Sequence, residues 1–280
     1  ELVQQIAGTL AAQVGRVERD RVNRKPTDNL DAYDLVLRGR ALLDRSTRAA
    51  FVEARGLFER AMAMDAKYAD ARVWLGQVLY FYVQYGFTES PLETAQQAEM
   101  LMRQALEIDP ANTLAHSALG QLLTYFERYD DALAAIDHAL AINASDAESH
   151  YARAVVLFWS SRLEESRQAF ALAQRLDPAT AYRPDRLFIS ATGELLSGQP
   201  EKTRALLEGR LQPLHRYSPL YVILAIAYGE LGRANDAAQA AAAAKRLDPF
   251  LSPERFGTRL RDPAHRKHIA EGMAKVGLGP

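Results

Sequence analysis

Small and apolar residues return along this chain at a fixed spacing. The small residues Ala54, Ala98, Ala132, Ser166, Thr203 and Ala237 stand 44, 34, 34, 37 and 34 positions apart. Four residues after each come Phe58, Met102, Ile136, Phe170, Leu207 and Ala241, and three further on come Ala61, Ala105, Ala139, Ala173, Arg210 and Ala244. Offsets of four and three keep side chains on one helix face. Each set therefore predicts an amphipathic helix whose small residues admit a close neighbour and whose larger residue fills the gap. Five residues on, the chain reaches Ala66, Pro110, Ala144, Pro178, His215 and Pro249, and Pro cannot continue a helix. An earlier helix in each unit shows a matching small residue at Leu75-Gly76, Leu119-Gly120 and Leu224-Ala225, with Arg38-Gly39 departing at its first position.

The pattern predicts helix pairs at 29–43 and 48–64, 69–86 and 91–108, 113–126 and 129–142, 147–159 and 163–176, 183–197 and 201–212, and 218–231 and 235–247. Nothing alternates with period two for long enough to predict a sheet. A leading amphipathic helix over residues 1–24 carries Leu2, Ile6, Leu10, Val14 and Val17 on one stripe and stops at Pro26, with Thr27-Asp28-Asn29 as the next N-cap. A loop over 249–261 precedes a last helix at about 263–276. The expected organisation is an N-terminal helix (1–26), a solenoid (27–250), and a C-terminal loop with a capping helix (251–280). Isolated units cannot bury their apolar faces, so they stack. The fifth unit breaks the pattern with Arg210 and a displaced Pro213, which predicts looser or altered packing.

A 34-residue period with these positions resembles the tetratricopeptide repeat, over about residues 30–250. That resemblance implies an all-α fold, a right-handed superhelix of about six helix pairs with extra terminal helices, whose first helices line a concave groove. The register Arg24-Lys25-Pro26-Thr27-Asp28-Asn29-Leu30-Asp31-Ala32-Tyr33-Asp34-Leu35, with Leu37-Arg38-Gly39 following, is similar to a junction in bacterial signalling proteins. Those proteins join an adenylate or guanylate cyclase domain, or a winged-helix domain, to C-terminal repeats. The resemblance implies a non-enzymatic interaction module from a larger cytoplasmic protein, and the start at Glu1 fits a piece cut from a longer chain.

Chemistry is sparse. The 280 residues contain no Cys, which excludes thiolate catalysis and Cys-type zinc sites. The net charge of -1 gives no global attraction to nucleic acid or to acidic membranes, and no run approaches a membrane-spanning length. No catalytic, cofactor-binding or metal site is expected. His116 and His150 lie 34 apart and invite a metal reading, but no third ligand accompanies them. His265 and His268, beside Arg266 and Lys267, read as a solvated basic face. Asp130-Asp131 and Glu164-Glu165 begin helices, where they complement the dipole.

The expected partner is a protein or peptide, with a homodimer through the apolar terminal helices as the alternative and a small ligand held between the second unit and the groove as a third. The peptide-binding candidates are Gln77, Tyr80, Phe81, Gln121, Tyr125, Tyr151, Phe158 and Trp159, an aromatic and amide-rich set on the groove face. Ser117, Thr124, Val222, Ile226 and Glu230 share that face. Such aromatics serve either as anchors for a ligand, or as packing for a neighbouring helix of the same chain, or as packing for one another. The second unit is ten residues longer than the period, and its Tyr82, Tyr85 and Phe87 predict either an extended helix pair or a lid.

Overall fold

A computed structural model describes residues 27–43, 45–178, 184–211, 217–249, 251–253, 256 and 259–279. The helix expected over 1–24 lies outside them. The described residues form thirteen α-helices: α1 (Leu30–Leu43), α2 (Arg48–Met64), α3 (Ala69–Gln84), α4 (Pro91–Ile108), α5 (Thr113–Leu123), α6 (Tyr129–Ile142), α7 (Ala147–Trp159), α8 (Leu163–Leu176), α9 (Pro184–Leu196), α10 (Pro200–Leu207), α11 (Ser218–Glu230), α12 (Ala234–Leu247) and α13 (Pro263–Lys275). No strand occurs among them. Consecutive helices pair, each pair packs on the next, and first helices also touch first helices. The result is the expected all-α right-handed solenoid of six helix pairs.

The small positions explain why each pair closes. Ala54, Ala98, Ala132 and Thr203 are fully buried, as are Phe58, Met102 and Ile136 four residues later. Their counterparts are Gly39, Gly76 and Gly120 on the first helices. A Cβ on Gly120 would lie 2.6 Å from Ile136 Cγ1 and 2.9 Å from the Ala132 carbonyl oxygen. Where the second helix carries a hydroxyl instead of Ala, the hydroxyl donates back to the first helix: Ser166 Oγ to the Ala154 carbonyl at 2.7 Å, and Thr203 Oγ1 to the Ala191 carbonyl at 3.1 Å. A buried hydroxyl without such an acceptor would be costly.

Caps and turns set the ends. Asn29, Asn112 and Asp146 accept backbone N–H groups two or three residues into α1, α5 and α7. The turns inside units pass through left-handed positions at Glu127, Ser161, Gly198 and Gly232, at the repeat's own spacings of 34, 37 and 34. α5 ends at Leu123 and is extended to Phe126 by a tighter turn of 3-10 type.

Two elements depart from expectation. α10 stops at Leu207, five residues short of the expected 212, because Glu208 is extended and Gly209 has φ 81°. Arg210, which stands where other units have Ala, turns back and donates from Nη1 to the carbonyls of Ala205 and Leu206. It caps the helix instead of packing under a neighbour. α13 packs on α11. Gly272 sits where a Cβ would be 2.6 Å from Ile226, and Val276 reaches Gly229. The helix expected to cap the end thus lies on Ile226 and Glu230, positions assigned to the groove, since the chain after Pro249 folds back along the first helices.

Two glycines in helix interiors should respond oppositely to the same change. Gly120→Ala places a methyl group against a carbonyl that cannot move without breaking α6, and it should cost about 1–3 kcal/mol. Gly56→Ala in α2 meets nothing within 4 Å and should gain about 0.5–1 kcal/mol from backbone entropy alone. Urea midpoints at unchanged m-value measure both, and equal signs would contradict the close-approach account.

Candidate functional site

The repeat register builds the groove. Tyr80, Thr124 and Phe158 are separated by 44 and 34 residues, as are Phe81, Tyr125 and Trp159, so each trio holds one place on successive first helices. Stacked units therefore bring two aromatic-rich rows side by side. Further along, Phe188 of α9 lies 6.3 Å from Phe158 and 6.4 Å from Trp159, ring centroid to ring centroid. Tyr217, just before α11, closes the row, 6.1 Å from Phe188. It also meets Tyr85 of the second unit at 5.2 Å, across the groove.

The chain's own C-terminal segment occupies this space. Phe256 sets its ring 6.0 Å from Phe188, perpendicular to it. Arg259 projects its guanidinium over Trp159 at 4.6 Å and beside Tyr125 at 5.6 Å. Its Nη2 donates to Thr124 Oγ1 at 3.1 Å and to Tyr80 Oη at 3.3 Å. A partly buried cation–π contact contributes about 0.5–2 kcal/mol and a charge-assisted hydrogen bond roughly 1.5–3 kcal/mol. The backbone is held as well: Tyr129 Oη donates to the Arg259 carbonyl at 3.3 Å, Arg261 N–H to the Trp159 carbonyl at 3.0 Å, and Asp262 N–H to Ser161 Oγ at 2.9 Å. One donor is left over. Arg259 Nε is buried and has no hydrogen-bond partner, a defect of about 1–3 kcal/mol.

The structure separates the eight candidates. Tyr80, Tyr125 and Trp159 converge on Arg259. Phe158 is buried beneath them, stacked edge-on against Trp159 at 5.0 Å. Phe81 faces the first unit and stacks on Phe51 of α2 at 5.4 Å. Tyr151 turns to α9, where Arg186 lies 4.2 Å over its ring and Asp185 accepts from its hydroxyl at 3.0 Å. Gln77 and Gln121 are buried on α3 and α5. Only Tyr125 is half-exposed. Sequence reasoning missed Phe188, Tyr217 and Arg259. A non-repetitive stretch of more than ten residues bounded by Pro249 and Pro263, carrying Phe256 and Leu260, was the available signal, since long structureless loops in compact folds usually have a task.

The electrostatics follow from the packing. The Tyr217 hydroxyl is pushed well above its ordinary range by burial, with Tyr85 and Asp185 adding to it and Arg259 opposing. Burial likewise raises Tyr129. His268 keeps about 33% of its side chain exposed, and its Nε2 meets Glu230 at 2.5 Å, which raises its pKa against the opposing desolvation. His116 and His150 share a local task. Each sets Nε2 at 2.9–3.0 Å from the carbonyl six residues earlier, that of Pro110 and Ala144. Burial lowers the His116 pKa. Among the described residues no group of three or more His, Asp or Glu could hold a metal ion, and no helix is long and apolar enough to cross a membrane.

A cleft of about 450 Å³ opens where α10 ends early, between Phe170, Leu187 and Leu206 and rimmed by Arg167, Lys202 and Glu194. It lies between the fourth and fifth units. The expected location beside the second unit is filled by Phe51, Phe81, Tyr85 and Phe87.

Residues 93–156 match the tetratricopeptide-repeat family. No curated protein matches the chain in sequence. Among solved structures it is similar to PilF of Pseudomonas aeruginosa, at 20% identity over 78% of this chain and 95% of that one, with a TM-score of 0.53. PilW, a type IV pilus biogenesis factor, gives 20% identity over 74% and 92%, with a TM-score of 0.53. A chain of the Cut9–Hcn1 hetero-tetramer of the APC/C gives 14% identity, 93% coverage and a TM-score of 0.61, and this chain spans 46% of it. The fold is a tetratricopeptide-type solenoid.

The His268–Glu230 contact makes the docking of α13 pH-dependent. A folded-state pKa raised above the ordinary 6.5 stabilises the docked helix fully below that value and loses its contribution as pH rises through the folded pKa. Glu271 reinforces the shift and Lys275 opposes it. Amide exchange in α13, corrected for intrinsic rate, should accelerate as pH rises above the ordinary 6.5 and through the raised folded-state pKa. His268→Gln should remove that dependence, and a wild-type profile as flat as the variant's would refute it.

Proposed function

We propose that this chain is a non-enzymatic protein-interaction module whose concave groove, lined by Tyr80, Tyr125, Phe158 and Trp159, takes a peptide segment of a protein partner. The observation that carries this reading is that the groove already holds peptide. Among the described residues of this segment, Phe256 and Arg259 to Asp262 are not helical; Phe256 lays its ring on Phe188, and the backbone of Arg259 and Arg261 hydrogen-bonds with Tyr129 and Trp159. A surface that binds its own chain through main-chain groups and one anchoring side chain has the chemistry for binding another. The tetratricopeptide-type fold supports the same reading. The register from Arg24 to Gly39 supports a place as the C-terminal module of a multidomain bacterial signalling protein of cyclase or winged-helix type, acting in the cytoplasm. Neither nucleic acid nor membrane is a partner in this reading, and no cofactor takes part.

A second reading has one specific observation in its favour. Leu30, Tyr33 and Leu37 form a stripe along α1 and are 78%, 39% and 41% exposed. Such a stripe at a solenoid's end suits self-association, which would pair the attached domains.

Two measurements test these readings. Anchors of this kind carry about 2 kcal/mol or more each, so Tyr125→Ala/Trp159→Ala should reduce partner recovery in a pull-down by more than about tenfold; undiminished recovery by a folded variant would overturn the groove reading. Light scattering should show a Leu30→Glu/Leu37→Glu variant as a monomer and the wild type at twice the mass of one chain. A monomeric wild type at high concentration would remove the second reading.

A further inference from the structure

On the basis of the groove reading above, we infer that the groove contains an arginine receptacle, that its partner is a protein segment inserting one arginine there, and that the chain's own Arg259 holds the place in the partner's absence. Four side chains from three successive units form the receptacle. Trp159 and Tyr125 supply π faces at 4.6 and 5.6 Å from the guanidinium carbon, and Thr124 and Tyr80 supply oxygens at 3.1 and 3.3 Å from one nitrogen. The Thr124 hydroxyl is itself committed as a donor to the Gln121 carbonyl at 2.6 Å, so it presents lone pairs toward the groove. A receptacle of aromatic faces and hydroxyl oxygens takes a cation. The flat guanidinium, which stacks while donating in its plane, suits it better than a compact ammonium. The backbone contacts fix direction: the residue carrying the arginine presents its carbonyl to Tyr129, and the residue two positions later presents its N–H to Trp159.

The self-contact is incomplete, and that is what makes exchange reasonable. Arg259 Nε remains buried without a partner, so a segment that brings an acceptor for the Nε of its own inserted arginine gains what the tethered segment forgoes. Tethering gives Arg259 a high effective concentration. A partner must therefore be the better ligand, and removing Arg259 should uncover the site.

The probe is a fluorescein-labelled synthetic peptide with the sequence of residues Ser252 to Asp262, titrated by anisotropy against the full chain. Arg259→Ala chain should bind it at least ten times more tightly than wild type. The same peptide with Ala in place of Arg259 should bind neither, and adding Tyr80→Phe/Thr124→Val to the Arg259→Ala chain should abolish binding. Equal affinity for the Arg and Ala peptides overturns the receptacle. Equal affinity of wild-type and Arg259→Ala chains overturns the place-holding. If Arg259→Ala chain does not fold, Tyr80→Phe in otherwise wild-type chain decides: exchange of the Arg259 to Asp262 amides should rise at least tenfold, and an unchanged rate overturns the proposal. The two levels fail differently. A peptide that binds the groove without needing its arginine removes only the receptacle. Arginine-dependent binding that survives Trp159→Ala places the site elsewhere and removes the groove reading.

Discussion

The structure depends on how closely two helix backbones approach within each unit. At Gly120 there is no room for a methyl group between α5 and α6, and the same small position recurs at Gly39 and Gly76. Close approach lets Ile136 or Phe58 fill the remaining space and reach full burial, each removing apolar area worth roughly 1.5–3 kcal/mol from water. The approach also fixes how each pair presents its first helix to the next. The rows Tyr80, Thr124, Phe158 and Phe81, Tyr125, Trp159 arise because the repeat carries the same angular position forward each time. The groove is a consequence of the packing contact on the other side of the same helices.

Legibility in the sequence follows the same division. Helix existence was plain wherever one helix face is buried by the unit's own partner, because burial then imposes periodicity: Ala98, Met102 and Ala105 announce α4, and Pro91 and Pro110 bound it. The Asn29 cap was readable for a local reason. Fates decided by distant contact were not. The end of α10 depends on Gly209 and on Arg210 choosing carbonyls over packing. The path of residues 251–262 has no periodicity, since a segment that crosses several helices meets a different surface at each residue. The pairing of His268 with Glu230 was not legible beside Arg266 and Lys267, because Glu230 stands 38 residues earlier and gives no local sign of its nearness. The left-handed turn position was visible at Gly232 and hidden at Glu127, where a residue with no special preference for it adopts φ 56°.

The groove aromatics serve two roles that are usually separate. Tyr80 and Phe158 are as buried as any core residue, and in the proposed reading they also line the groove a partner would meet. Trp159 and Phe188 pack on Phe158, and Arg259 of the returning segment reaches Tyr80. In the proposed reading the candidate site is therefore part of the fold's stability while the segment is in place, and part of its surface once the segment is displaced.

A solenoid whose units touch only their neighbours behaves as a one-dimensional chain and frays from its ends. Here Tyr85 reaches Tyr217, and Arg259 joins α3, α5 and α7 to a segment that follows α12. These contacts span most of the chain, and they turn a row of units into a closed circuit. Stretching or loosening one unit must then strain several, so the molecule resists extension as a clasped spring does and unfolds as one body. Opening the clasp at Arg259 would return the array to independent, softer units, and the same contact that fills the groove thereby sets the stiffness of the whole.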